Sequence, residues 1–284
     1  MQEGPQSNPE IQRRSIFETL NQYYLLFFGL ACIVSSVFLQ EIFISIDQFR
    51  LGITIAPIIG IVLPLFVLTR RFQQTFAEQL RIRKMRVTTT VQVVVATLVM
   101  VVVVDHVYVI SQQFMPSSDA YLESLKALKP TGFWSTALTF LGLCIVVPFT
   151  EEVVFRGLIQ RVFALNMLPI VAVVLSGTFF GVIHLSPQLL VSMTCFGIFL
   201  AFVFYATSNL TYPIVGHAVL NAVAFVQLTF QSEDSFTDAP FYAQEWWYLP
   251  VAIGIVLILS REIKRGAARS APAPLETEYL DDRE

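Results

Sequence analysis

Two adjacent carboxylates, Glu151 and Glu152, stand in the most hydrophobic half of a hydrophobic chain, and no charged residue lies between Ser135 and Phe149. Acids at membrane depth are costly and are kept for function. Arg156 follows Glu152 by four residues, the spacing and order that let a helix pair an acid with a base. Glu152 is therefore expected to be ionised and paired. Glu151 lies about 100° further round such a helix and has no cation within a turn. A desolvated carboxylate without a cation takes up a proton more readily, which suits a general base better than a structural ion pair. The competing reading, a helix end that has reached the lipid headgroups, is weakened by the other polar residues.

The chain has only three histidines. His106 follows Asp105 near the expected end of a span and reads as an interfacial residue with no role. His184 closes Phe180-Gly181-Val182-Ile183-His184, and His217 opens His217-Ala218-Val219-Leu220-Asn221. At i,i+4, Phe180 shares a helix face with His184, and Asn221 with His217. Unpartnered polar groups cost several kcal/mol each in hydrocarbon, so these side chains are expected to meet around water. A turn near residues 166–169 puts Glu151 and His184 each about sixteen residues away, or ~24 Å along antiparallel helices. That arithmetic sets them at one height. It leaves His217, about six residues beyond the next turn on a 1.5 Å rise, on the opposite side unless helices tilt or a loop dips inward.

The elements that must carry these residues are apolar helices. Of the 284 residues 55 % are hydrophobic and 14 % charged, against about 25 % charged in soluble domains. The mean hydropathy is +0.65. This is the composition of an integral membrane protein. Cys32, Cys144 and Cys195 all fall in apolar runs and read as small core residues, with no disulfide and no zinc spacing. The expected fold is all-α and polytopic, with about eight transmembrane helices: 23–42, 51–68, 87–110, one from 133 through the Glu pair, 168–184, 189–206, 213–230 and 246–259. Pro57 and Pro64 are expected to kink the second. A basic connector after the second span, Arg70 to Arg86, reads as a surface helix. Three regions follow: a tail and helices 1–3 over residues 1–130, a core in helices 4–7 over 131–230, and an acidic loop, last helix and disordered tail over 231–284.

Charge orients these spans. An even number puts both termini on one side with fifteen of the 18 Lys and Arg, leaving Arg50, Lys126 and Lys129 on the other. Basic residues favour the cytoplasmic side. The expectation is an integral protein of a bacterial cytoplasmic membrane with both termini cytoplasmic.

Glu-Glu-x-x-x-Arg, then Phe-x-x-x-His, then His-x-x-x-Asn, on successive spans, resembles the CPBP family, the group of CAAX prenyl endopeptidases and bacteriocin-processing intramembrane proteases also called Abi. The resemblance covers roughly residues 130–230. It implies hydrolysis of a peptide bond within or beside the bilayer. By the resemblance, Glu151 and His184 activate water, while His217 and Asn221 stabilise the oxyanion. Glu152 completes the catalytic set and Arg156 pairs with it. The partners implied are a membrane-associated protein or peptide, of the prenylated or the bacteriocin-like class, and the lipid bilayer, not nucleic acid. No cofactor is expected. The metal alternative is zinc on Glu151, His184 and His217 with an open position, although the compact zinc spacing is missing. Other intramembrane protease signatures, His-Glu-x-x-His, Gly-x-Ser-Gly and Gly-x-Gly-Asp, do not occur. The rival functions are a proton-coupled transporter, since Glu, His and Arg also build relays, and a non-catalytic scaffold or bacteriocin-immunity protein.

Overall fold

The structure is a computed structural model that describes residues 15–72, 74–232 and 238–269. Residues 1–14, Glu233 and Asp234 of the expected acidic loop, and the Pro- and Ala-rich tail lie outside the described residues. The fold is all-α. In chain order the helices are α1 (Ile16–Thr19), α2 (Gln22–Ser45), α3 (Phe49–Thr69), α4 (Phe76–Gln79), α5 (Val87–Phe114), α6 (Asp119–Leu128), α7 (Phe133–Ala164), α8 (Pro169–Val182), α9 (Pro187–Thr207), α10 (Thr211–Phe230) and α11 (Tyr248–Ala268).

Six of these, α2, α3, α5, α7, α9 and α10, are long and apolar enough to cross a membrane. The expectation of eight spans differs at two places, each for a physical reason. α8 has 14 residues, about 21 Å at 1.5 Å per residue, short of a ~30 Å hydrocarbon core. α11 is 21 residues long, but Arg261, Glu262, Lys264 and Arg265 charge its last turns. The basic connector is also shorter than expected. It forms one capped turn, α4, with Thr75 and Glu78 capping each other reciprocally, and then turns at Arg81 with φ 58°. The loop between α5 and α7 contains α6, started by Ser118 as N-cap, a helix that the hydropathy pattern does not mark.

Hydrogen bonds fix which helix ends lie together. At the basic end, Gln79 accepts from the Ile16 amide (3.1 Å), Arg161 donates to the Gln79 carbonyl, Leu210 donates to Arg81, and Arg86 donates to Gly266. At the other end, Arg50 donates to the Lys129 carbonyl, and Lys129 donates to that of Gln231. The first and last described helices thus begin and finish at one end. His106 is buried between the carbonyls of Val102 (2.7 Å) and Glu245 (3.2 Å). It stitches α5 to the segment before α11, a structural role in place of the expected idle one. Tyr242 donates to Asp105 at 2.5 Å beside it, and burial, then Asp105, push its hydroxyl above the usual tyrosine range, which keeps it a donor.

One cluster of buried apolar side chains runs from Cys32 in α2 to Ile263 in α11. The opposite faces are apolar too: Phe27, Val34 and Phe38 of α2 are each more than 65 % exposed, as lipid-facing residues are. Between α8 and α9 the helices approach without side chains in the way. A Cβ on Gly177 would lie 2.4 Å from the Ile198 amide, and one on Gly197 would lie 2.6 Å from the Gly177 carbonyl. Small residues permit such contact between membrane helices.

Gly177→Leu should therefore separate α8 from α9 and lower the melting temperature in detergent by several degrees, with activity lost. Gly254→Leu, at a position where a Cβ meets nothing within 4 Å, should leave both unchanged. Thermal melts of the two purified variants check this.

Candidate active site

Glu151 and Glu152 occupy the middle of α7, and the backbone there is not uniformly α-helical. Residues Leu141–Val146 and Phe155–Ile159 are π-helical, flanking an α-helical stretch Val147–Val154 that carries both acids. π-Segments recur at functional sites because each re-aims the side chains beyond it. Pro148 shows what the first does. The Val147 amide donates to Gly142, five residues back. In that register the Leu143 carbonyl should receive residue 148, which is proline and has no N–H. Asn221 of α10 supplies the missing donor, its Nδ2 lying 2.8 Å from the Leu143 oxygen. A carbonyl only accepts, so this contact fixes which way the Asn221 amide faces.

One turn earlier on α10, His217 is anchored to α7 in the same manner. Its Nδ1 lies 2.9 Å from Glu152 Oε1. That oxygen also accepts from Arg156 Nη1 at 2.7 Å, and both charged side chains are fully buried. Arg156 donates from Nη2 to the Gly197 carbonyl of α9 at 2.9 Å. Its guanidinium lies over the Phe180 ring, 4.6 Å from the centroid, a cation–π contact of the desolvated kind. Phe180 also meets His184, His217, Phe155 and Phe196 edge to face.

Glu151 is different. Its side chain is 23 % exposed, and its Oε2 lies 3.9 Å from His217 Nε2, too far for a hydrogen bond. That oxygen is inaccessible and has no protein hydrogen-bond partner. His184 sits in the turn after α8, its Nδ1 donating to the Phe180 carbonyl at 2.8 Å. In the neutral ring this leaves Nε2 as an acceptor.

The structure thus gathers Glu151, Glu152, Arg156, His217 and Asn221 between α7 and α10, with His184 joined to them through Phe180. It records no hydrogen bond or ion pair between Glu151 and His184, the contact that hairpin arithmetic suggested. Two π-segments in α7 and the early stop of α8 spoil that arithmetic. The problem of His217 resolves at α10, where its ring reaches Glu152 and approaches Glu151 although it stands only one to two turns from the start of that helix. Sequence reasoning missed the carbonyls of Leu143 and Gly197 and the central place of Phe180. Pro148 was the available signal for the first. The alternative metal ligands Glu151, His184 and His217 do not gather into a ligand set, and no group of three His, Cys, Asp or Glu side chains does among the described residues.

Fold and site together define a polytopic membrane protein with a carboxylate–imidazole centre between its helices. Residues 133–223 match the family model of the type II CAAX prenyl endopeptidase, Rce1-like. The match starts at the first residue of α7, ends within α10 and contains all three motifs. The resemblance that those motifs carry is therefore shown over this stretch. No curated protein and no solved structure matches the chain.

Asn221→Leu should leave the Leu143 carbonyl without a donor, at about 1–3 kcal/mol for a buried unsatisfied group. Arg156→Ala should cost more, about 3–5 kcal/mol, because it strands a buried Glu152. Unfolding of the two variants in detergent should rank them in that order below the parent protein.

Proposed function

We propose that the chain is an intramembrane endopeptidase that hydrolyses a peptide bond in a membrane-associated protein or peptide, with water activated by carboxylate and imidazole. The observation that carries this reading is the pairing of an unpartnered Glu151 oxygen with a histidine locked by Glu152. Glu151 accepts a proton from water. His184, whose Nδ1 is held by the Phe180 carbonyl, offers Nε2 to the same water. The resulting hydroxide adds to the scissile carbonyl. The developing oxyanion meets two donors on one face of α10: His217 Nε2 and the second amide hydrogen of Asn221. For that role His217 carries protons on both ring nitrogens before water is activated, an imidazolium flanked by two carboxylates that gains and loses no proton during the reaction. His217 is anchored to α7 through its other ring nitrogen and Asn221 through the other hydrogen of the same amide nitrogen, so neither must reorganise as charge develops, which is where such stabilisation comes from. Collapse of the tetrahedral intermediate passes the proton from Glu151 to the leaving amine.

Glu152 and Arg156 do not touch the reacting atoms in this scheme. They hold His217. Catalysis proceeds without a cofactor. The regions 1–130, 131–230 and 231–284 act as scaffold, core and flanking helix of one bundle, the last packing on α5 and α9. The basic end of the bundle faces the cytoplasm, with both termini.

Glu151→Gln keeps the side chain's shape and removes the base. It should lower the cleavage rate by ~10²–10⁴, the usual worth of general-base catalysis, with the melting temperature unchanged. A strong chelator should have no effect on the parent enzyme. Peptide release from membranes containing either protein, assayed with and without chelator, checks both. Near-parental cleavage by Glu151→Gln removes the general base. Chelator loss restored by zinc replaces the mechanism with a metal one. A Glu151→Gln chain that still rescues a deletion phenotype marks a binding protein. For orientation, reporters fused after Glu123 and after Asp238 should both read outside the cytoplasm.

A further inference from the structure

Two cavities lie end to end along the seam where α5, α9 and α11 meet, away from the carboxylate–imidazole centre. The first, about 550 Å³, is lined by apolar side chains including Val103, Phe199, Phe202, Val256 and Leu257, and ends at Arg261. The second, about 490 Å³, lies at the basic end and is lined by Arg83, Lys84, Arg86 and Lys264 together with Tyr205 and Tyr212. Neither contains an acidic residue. Helix periodicity joins them. Phe202 of the first and Tyr205 of the second are one turn apart on α9, with ring centroids 6.3 Å apart. Arg261 and Lys264 are one turn apart on α11. The groove opens outward, since Leu257 is 57 % and Tyr205 41 % exposed.

The cations of the second cavity have no acidic partner among the described residues. Arg86 bonds the Gly266 carbonyl, and Lys264 lies over the Tyr205 ring at 5.4 Å. Glu262 is engaged elsewhere, with Arg265 at 2.6 Å. Four like charges are held together by backbone ties. Asn209 accepts from the Arg83 amide and donates to the Lys84 carbonyl, and the Arg86 amide donates to the Tyr212 hydroxyl. Just before this cluster, burial and then the neighbouring Arg83 hold the Arg81 guanidinium below the usual arginine range.

We infer that this seam is a binding site for an anionic glycerophospholipid of the surrounding bilayer, acyl chain along α9 and α11, phosphate among Arg83, Lys84, Arg86 and Lys264. The order of the surface, apolar and then basic with aromatic hydroxyls between, is the order of such a lipid from tail to head. Basic pockets between membrane helices recognise anionic headgroups in this way. The headgroup site grips the α9–α10 turn, and His217 lies five residues beyond Tyr212. Binding should therefore stiffen the turn that positions His217.

The test is the melting temperature of the full chain in neutral detergent, titrated with phosphatidylglycerol, phosphatidylcholine or inorganic phosphate. Phosphatidylglycerol should raise the melting temperature saturably, by linkage to the folded state, and phosphatidylcholine should not. Arg83→Gln with Lys264→Gln should weaken the half-saturation point by roughly thirtyfold, at about 1 kcal/mol per basic residue. The control pair Arg70→Gln with Arg71→Gln, basic but outside the groove, should not. Leu257→Trp, which fills the apolar half, should weaken the lipid response as well. Equal responses to the two lipids, or to phosphatidylglycerol in the groove pair and the control pair, overturn the proposal. A full response to inorganic phosphate alone, untouched by Leu257→Trp, overturns it in favour of a soluble phosphate ligand. If a variant melts too early to titrate, mass spectrometry of the intact protein decides between the same outcomes by counting retained phosphatidylglycerol.

Discussion

Arg156 and Glu152 are a charged pair with no access to solvent, and this constraint organises the centre of the bundle. Two ions withdrawn from water are costly, and each further hydrogen bond lowers that cost. Among the described residues Glu152 Oε2 and Arg156 Nε find no partner, while the other atoms of the pair do. Arg156 takes the Gly197 carbonyl, which draws α9 against α7. Glu152 takes His217, which draws in α10. Phe180 closes the remaining side with its ring over the guanidinium and its edge to both histidines. Each contact that stabilises the pair also places a residue of the site. Stability and positioning are here the same interactions, so substitutions at Glu152 or Arg156 damage both.

The backbone follows a similar logic. A proline inside α7 leaves a carbonyl without its donor, and the π-register decides that the carbonyl is Leu143. The Asn221 amide answers it. His217 and Asn221 are consequently fixed to one helix by two independent anchors, one ionic and one amide, spaced one turn apart. Pro57 in α3 also borders a π-segment, Ile58–Val62, though it precedes that segment where Pro148 follows one, and no site residue bonds to it. The Pro148 device is functional because Asn221 is opposite.

Much of this was legible in the residues. Apolar runs located the long helices to within a few positions, and the i,i+4 spacing of Glu152 and Arg156 is the pair the structure contains. Motif order on successive helices pointed to the matched stretch, 133–223. Three features were not legible. Backbone carbonyls carry no sequence mark, so Leu143 and Gly197 were invisible as partners. π-Segments add residues within a helix and break distance counting, so the approach of His217 to Glu151 could not be read from it. The end of α8 depends on a turn in which Leu185 takes φ 49°, a conformation that a leucine does not announce. Apolar composition alone counted α8 and α11 with the long spans, whereas the length of one and the charged end of the other leave them outside the six helices long and apolar enough to cross.

The central claim is that Glu152, held by Arg156, fixes the His217 ring with a proton on Nδ1. Nitrogen-15 NMR of the purified protein, histidine-labelled and assigned with a His217→Gln variant, reads this directly. The predicted result is a protonated Nδ1 on His217, with a deshielded, strongly hydrogen-bonded proton that disappears in Arg156→Ala. A bare Nδ1 in the parent protein, with the proton on Nε2 alone, would contradict it.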